Sequence, residues 1–351
     1  MPPGERFVKS DETSRLADWL RAHVADFRGS VRVQPLTGGQ SNPTFCIEAG
    51  EHRWVLRRKP PGVLLASAHA VDREYRVMAA LADADVPVPR MHALCDDAGV
   101  IGSTFIVMAH VEGRVFADPS LPGLIADDRD AVYLALARTL AAIHSVDVAA
   151  VGLADYGRPQ NYLSRQIDRW TRQYRASQTD VLEPMERLIE WLPAHLPAGL
   201  DDEPGTLVHG DYRIDNLIYH PTEPRVLAVI DWELSTLGHP LADLAYHLMA
   251  WRVAPDEFRG LKGHDLGALG LPAEAEHLAR YLAASEKATG AVSPEVMDYL
   301  MAFNMFRMAA ILQGILARSL QGNAAAGDAG ATGERARRMA EAGWRQALQF
   351  A

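Results

Sequence analysis

Two stretches of the chain carry residues whose types and spacing can do chemistry together. The first is His209-Gly210-Asp211-Tyr212-Arg213-Ile214-Asp215-Asn216; the second, after a short hairpin-like stretch, is Val229-Ile230-Asp231-Trp232-Glu233. They set a carboxylate, an amide and a second carboxylate at strand ends. That set suits metal-assisted phosphoryl transfer, in which one aspartate orients the attacking hydroxyl while an asparagine and another aspartate hold Mg²⁺ on ATP. Such a reaction asks for positioning and charge stabilisation more than for covalent help. Asp211 is the expected catalytic residue, able to fix the acceptor hydroxyl and take its proton late. Asn216 and Asp231 offer the hard oxygens that Mg²⁺ prefers. Each has a bland alternative as a turn residue capping local backbone, but their joint occurrence favours the chemical reading.

Other residues support this pair of motifs. Arg213 can stabilise charge on the transferring phosphoryl group or form a structural ion pair with Asp215; both readings stand. Glu233 is either a partner behind the metal ligand or a helix-start acid. His209 orients the loop, and Asp243, in His239-Pro240-Leu241-Ala242-Asp243-Leu244, tethers it by hydrogen bonds. Gly38, Gly39 and Ser41 form a turn able to cover phosphate, because glycine lets backbone amides approach closely. A Gly-Gly turn between strands is also commonly just a turn. Arg57 at the end of a strand and Glu74 on the next helix make a basic–acidic pair of the kind that contacts nucleotide phosphates in kinase-like sites. Lys59 shares the face of Arg57 by alternation and is the alternative; a purely structural ion pair is the bland one.

The elements that must position these residues follow from periodicity. Ser14 to Val24 reads as a short amphipathic helix. Val31-Arg32-Val33, Thr44-Phe45-Cys46-Ile47 and Trp54-Val55-Leu56-Arg57 read as strands. Ser67 to Leu81 is helical, with Val71, Glu74, Met78 and Leu81 on one stripe. A carboxylate on a buried stripe needs a partner, which marks Glu74 as functional. Thr104 to Met108 is a buried strand, and Ala109 to Gly113 a hinge. Helices then dominate, around Asp128 to His144, Leu163 to Tyr174, Val181 to Leu192, Ala242 to Trp251, Leu278 to Lys287 and Ser293 to about Leu320. Short strands at Thr206 to Val208, Leu217 to Tyr219 and Val226 to Ile230 surround the chemical core. Gln321 to Gly333 reads as a flexible link, and Glu334 to Leu348 as a last helix. Trp170, Tyr174, Trp251, Tyr299, Phe303 and Phe306 either line a substrate pocket or pack the core.

Composition sets the bounds. The chain has 351 residues, 48% hydrophobic and 23% charged, with net charge −10. Its length suits two lobes. No basic run signals nucleic-acid binding. The four lysines are Lys9, Lys59, Lys262 and Lys287, so a lysine function has few candidates. Cys46 and Cys95 have neither metal-ligand nor disulfide spacing and read as buried thiols. The N-terminus lacks the apolar core of a signal peptide, and no uninterrupted apolar run reaches membrane-spanning length. The expectation is a cytoplasmic protein with no membrane partner, a monomer or homodimer.

These residues resemble the aminoglycoside phosphotransferase-like branch of the protein-kinase-like fold, from about Leu36 to about Leu320. Two strings are similar to a narrower group, the kinase-like domains associated with acyl-CoA dehydrogenases. They are Val55-Leu56-Arg57-Arg58-Lys59-Pro60-Pro61-Gly62, with Ser67-Ala68-His69 and Arg73-Glu74-Tyr75 after it, and Asp231-Trp232-Glu233-Leu234-Ser235-Thr236-Leu237-Gly238. The resemblance implies a two-lobed α+β fold: residues 1–108 a nucleotide-binding lobe with a small antiparallel sheet, 109–113 a hinge, 114–351 a mainly helical catalytic lobe. It implies ATP and Mg²⁺ as cofactors and a small-molecule hydroxyl as acceptor, of hydroxyacyl type. It also implies association with enzymes of acyl-CoA metabolism. By it, Asp211 matches the catalytic aspartate, Asn216 and Asp231 the metal ligands, Ser41 the phosphate-loop serine and Glu74 the helix glutamate. Met108 matches the residue before the hinge, so the backbones of Ala109 and Val111 would meet adenine. Arg57 stands where many relatives carry lysine, and Trp232-Glu233 replaces the Phe-Gly of protein kinases. Two rivals remain. An antibiotic kinase would need clustered acids among Asp256, Glu257, Asp265, Glu274 and Glu276. A nucleotide-binding regulatory module would lack turnover.

Overall fold

The computed structural model describes residues 10–36, 42–60, 70–285, 292–320 and 329–350. Its chain packs as two compact units: Met1–Arg114 with Ile218–Pro221 and Leu227–Leu234, and Val115–Leu217 with Thr222–Val226 and Ser235–Ala351.

The first unit runs α1 (Ser10–His23), β1 (Arg32–Pro35), β2 (Thr44–Ala49), β3 (His52–Arg58), α2 (Val71–Ala80), β4 (Met91–Cys95), α3 (Ala98–Ile101) and β5 (Phe105–Ala109). The strands form one antiparallel sheet in the order β1-β2-β3-β5-β4. Alternation sorts each strand's side chains to two faces. Phe45, Ile47, Trp54, Leu56, Phe105 and Val107 join Leu16 and Leu20 of α1 in one apolar core. Arg57 stands one residue from Leu56 and so points to the other face. There α2 packs on β4 and β5, burying Val71, Glu74, Val77 and Met78. Cys46 and Cys95 are buried and unpaired with each other. The backbone of Arg114 bridges that of Tyr219, with both N–H to O distances 2.8 Å. Gly113 is required beside it, because a Cβ there would stand 2.3 Å from the Tyr219 carbonyl oxygen.

The second unit contains α4 (Ala126–Ser145), α5 (Tyr162–Ser177), α6 (Glu183–Ala194) and β6 (Thr206–Val208). A hairpin of β7 (Leu217–Tyr219) and β8 (Val226–Val229) divides between the units. Then follow β9 (Thr236–Gly238), α7 (Pro240–Arg252), α8 (Pro255–Phe258), α9 (Leu266–Leu269), α10 (Glu274–Ala284), α11 (Pro294–Leu320) and α12 (Ala329–Ala347). Strand β9 pairs antiparallel with β6, and α11 packs against α5, α6, α7 and α12.

Most elements fall where periodicity put them; the short α3, α8, α9 and β9 were not foreseen, and two further differences are larger. Strand β4 was not foreseen: five residues after a Pro-Val-Pro connector give too little alternation to distinguish a sheet-edge strand from a loop. Helix α12 begins at Ala329, inside the stretch read as a link; close packing on α11 outweighs the low helix propensity of its glycines. Residues 321–328 of that link lie outside the described residues. Helix α11 is long and apolar enough to cross a membrane, with mean hydropathy 1.5 over an eighteen-residue window, but 83% of that window is buried inside the protein. It is the core helix of its unit, and its apolar residues face protein on all sides.

Candidate active site

In the first unit the sequence brings four charged side chains and one amide together. Arg57 is 9% exposed and Glu74 1%. The Arg57 Nε stands 3.1 Å from Glu74 Oε2, a charge contact rather than an aligned hydrogen bond. Its Nη2 donates to Asp231 Oδ1 at 2.5 Å and lies 3.7 Å from Glu233 Oε2. Asn42, itself buried, donates from Nδ2 to Glu74 Oε1 and to Glu233 Oε2, both at 3.3 Å. Three carboxylates thus surround one guanidinium, leaving an excess of negative charge. Glu74, the most buried, takes the consequence: burial pushes its carboxyl up to about 8, against the opposing pull of Arg57. Lys59 pairs with Asp72 at 2.9 Å and does not join the cluster. Of the two bases weighed from sequence, Arg57 is the one that pairs with Glu74.

Asp231 is held in a conformation that its side chain disfavours, at φ +66. Such a backbone costs a non-glycine residue on the order of 1 kcal/mol and recurs at functional sites. Next to it Trp232 is fully buried and donates from Nε1 to the Val229 carbonyl at 3.0 Å. That bolt fixes the turn. With one oxygen on Arg57, Asp231 keeps Oδ2 without a protein partner among the described residues. Met108 lies buried in β5 opposite Val55, and the Ala109 amide donates to the Arg90 carbonyl at 2.8 Å. Val111 is half-buried just beyond. Gly38, Gly39 and Ser41 lie outside the described residues.

In the second unit the loop after β6 is built around Asp243 of α7. Its carboxylate accepts from the amides of His209 at 2.7 Å and Gly210 at 2.9 Å, and contacts His144 Nε2 at 3.2 Å. Burial alone would raise Asp243, but these donors hold it below the usual carboxylate range. Gly210 has φ +81, which a side chain would resist. The turn presents Asp211, whose amide donates to His209 Nδ1 at 3.2 Å.

The Asp211 carboxylate has three neighbours. Tyr246 of α7 donates its hydroxyl to Oδ1. Asn216 Nδ2 donates to Oδ2 at 3.0 Å and to the Asp211 carbonyl at 2.8 Å. Arg213 approaches both oxygens, at 3.2 and 3.4 Å, while also standing 3.5 Å from Asp215. The ion-pair reading of Arg213 is the one these contacts bear out. Because Asn216 spends its amide nitrogen on Asp211, its carbonyl oxygen is the atom left for a cation. Tyr246 was missed from sequence. It falls three residues after Asp243, one helical turn along α7, so it shares a face with the tether; that spacing was the available signal. Asn42 was missed too, and nothing marked it beyond its place after the Gly-rich stretch.

Tyr246 and Arg213 also line a narrow, open pocket of about 40 Å³, with Tyr133, Met249, Trp251 and Phe258. Trp251 is thus the one of the six aromatics singled out from sequence that faces this pocket. Tyr174, Tyr299, Phe303 and Phe306 are fully buried. The acids weighed for a polycationic acceptor do not form a cluster. Asp256 pairs with Arg338, Glu257 with Arg345, Glu274 with Arg252 and Glu276 with Arg280, while Asp265 caps α9.

This fold, with a tethered His-Gly-Asp loop and a strained aspartate after an apolar strand, is that of the two-lobed, kinase-like phosphotransferases. The phosphotransferase enzyme family matches residues 32–294, and the chain belongs to it. It is 46% identical over 319 residues to mouse acyl-CoA dehydrogenase family member 10, covering 90% of this chain and 29% of that protein. The chain therefore spans under a third of that relative. A crystal structure from Ralstonia eutropha JMP134, described provisionally as an aminoglycoside phosphotransferase, superposes with TM-score 0.85 at 48% identity, over 96% of this chain and 98% of that one. At 17% identity, a mutant of the aminoglycoside phosphotransferase APH(4)-Ia in a ternary complex with ADP and hygromycin B matches with TM-score 0.59 over 94% of this chain and 97% of its own, a likeness of fold alone.

Proposed function

We propose that the protein is an ATP- and Mg²⁺-dependent small-molecule kinase that phosphorylates a hydroxyl on an acyl-type acceptor, a hydroxy acid or hydroxyacyl-CoA. The observation that carries this is the Asp211 carboxylate, fixed by Tyr246, Asn216 and Arg213 one side chain away from an apolar pocket. When bound, Mg²⁺-ATP supplies the electrophilic phosphoryl group. The donor chemistry of each residue suits a hard cation: Asn216 keeps its carbonyl oxygen, and strained Asp231 keeps Oδ2 beside the surplus negative charge around Arg57. Gly38, Gly39 and Ser41 are assigned to phosphate, with Arg57 and Glu74, and Met108, Ala109 and Val111 to the adenine.

Asp211 would accept a hydrogen bond from the acceptor hydroxyl, aim its oxygen, and take its proton as the new bond to the γ-phosphorus forms and the bond to the departing ADP oxygen breaks. Arg213 offsets the charge that gathers on the transferring group. The names of the relatives, acyl-CoA dehydrogenase family members, support an acyl acceptor and a place beside acyl-CoA metabolism. The pocket is apolar at Tyr133, Met249, Trp251 and Phe258 and carries Arg213, Asp215, His247 and Arg259 beside them, and the dispersed, paired acids do not suit a polycation.

The test is ADP release with Mg²⁺-ATP across hydroxyacyl-CoAs, free hydroxy acids and aminoglycosides, with Asp211→Asn alongside. Acceptor-dependent release that falls at least about 10²-fold in the variant supports the assignment. Equal turnover in the variant overturns the role of Asp211. Mg²⁺-dependent ATP binding without turnover on any acceptor favours a nucleotide-sensing module.

A further inference from the structure

We propose that Arg307 of α11 and Arg169 of α5 form a subsite for an anionic group of the acceptor, beside the Asp211 loop. Its consequence for turnover rests on the kinase reading above. Arg307 is 6% exposed, yet no ion pair holds it among the described residues. Its protein hydrogen bond is to the Gly210 carbonyl, the residue before Asp211. Its guanidinium also lies over two aromatic rings, 5.1 Å from the centre of Tyr246 and 5.5 Å from that of Trp170. Aromatic faces and one carbonyl compensate a buried cation weakly compared with a carboxylate. Most of a five-donor fork is left over.

Arg169 stands over the same indole, 5.3 Å from its centre, and is exposed. It too has no carboxylate partner among the described residues. Desolvation and the nearby Arg307 charge push it down from its ordinary value. The Tyr162 hydroxyl lies within electrostatic reach of both arginines and of Arg165. Asp243 is the acid within reach of Tyr162, and it is already occupied by His144 and by the His209 and Gly210 amides. In a chain of net charge −10, whose other buried arginine among the described residues, Arg57, meets acids, two guanidiniums that share one indole and have no acid partner form a site for an anion. Carboxylate and phosphate both fit such a fork. The acceptor is then a hydroxylated anion, its charged end on Arg307 and Arg169 and its hydroxyl near Asp211.

Trp170 reports on the site without any turnover. Its emission is followed on the full chain with 3-hydroxybutyrate as the carboxylate probe, coenzyme A as the phosphate probe and 1,3-butanediol as the neutral control. The expected result is a saturable change with an anionic probe, none with the diol, loss of the signal in Trp170→Phe, and about tenfold weaker binding in Arg169→Gln. Saturation by 3-hydroxybutyrate alone identifies a free hydroxy acid; saturation by coenzyme A alone identifies a carried acyl group. No Trp170 response to either anion, or unchanged affinity in both Arg169→Gln and Arg307→Lys, overturns the proposal. In turnover, Arg169→Gln raises KM for an anionic acceptor about tenfold and leaves kcat within about twofold. If binding behaves as expected while no acceptor is phosphorylated, the subsite stands and the kinase assignment falls.

Discussion

Tyr246 donates its hydroxyl to Oδ1 of Asp211, from the same helix whose Asp243 ties down the loop behind that aspartate. One helix therefore fixes both the backbone around Asp211 and its carboxylate. Burial and the Asp211 charge push the Tyr246 phenol well above its ordinary range, so it serves as a donor and not as a base. Tyr246→Phe removes that donor while keeping the ring against Arg307. We expect kcat to fall about 10- to 100-fold, the worth of a charged hydrogen bond, with KM for ATP unchanged in steady-state assays. An unchanged kcat would show that Asn216 and Arg213 suffice to hold the carboxylate.

Arg57 is the only cation among Glu74, Asp231 and Glu233 in the described cluster. Arg57→Met leaves three carboxylates facing one another, two of them half-buried and one fully so. The expected loss of stability is about 3–5 kcal/mol, read by chemical denaturation. Added Mg²⁺ should restore more stability to the variant than it adds to the wild type. A variant as stable as the wild type would mean that the cluster is hydrated rather than held by charge.

Asp231 and Asn216 are assigned the metal on the strength of oxygens their own contacts leave over. Asp231→Asn should raise the Mg²⁺ concentration for half-maximal turnover by at least about tenfold, and Asn216→Ala should do the same. Asn216→Ala also strips a donor from Asp211, so its kcat should fall even at saturating Mg²⁺. Identical metal dependence in wild type and both variants would remove these residues from the metal site.

His247 and His277 lie with their Nε2 atoms 3.0 Å apart, both buried. Burial lowers His247 to about 4 despite the nearby Asp243, and lowers His277 well below its ordinary value, helped by His247 and Arg280. The folded state therefore needs both rings neutral, whereas the unfolded chain protonates them near pH 6.5. The stability they confer is fully present above that value and is lost as pH falls toward about 4. For His247 alone the loss is on the order of 2–3 kcal/mol. Thermal melts from pH 7 to pH 4 should show it, with a shallower slope in His277→Gln. A slope unchanged by that substitution would assign the acid sensitivity elsewhere.

Much of the site was legible because its parts are local. Asp211, Arg213 and Asn216 sit within one turn, and Asp231 directly follows an apolar strand, so residue type and spacing carried the reading. Glu74 was legible as a contradiction, an acid on an apolar stripe, and the sheet unit resolves it with Arg57 and Asn42. The unforeseen members, Asn42 and Tyr246, and Arg307 of the proposed subsite meet their partners across distant stretches. Asn42 meets Glu233 across 191 residues and Arg307 meets Gly210 across 97. Nothing in a single stretch signals such meetings.

The sequence by itself determined the two motifs and the helical and strand periods around them, because each follows from spacing along the chain; the kinase-like family entered through the resemblance of those motifs. The tertiary structure alone decided which charges are compensated. It sends Arg57 rather than Lys59 to Glu74, and it pairs off the acids once weighed for a cationic acceptor. It also leaves Arg307 and Arg169 with aromatic faces instead of carboxylates. The reason is physical: the energy of a charge depends on how much water it loses and which groups replace that water, and only the folded chain fixes both.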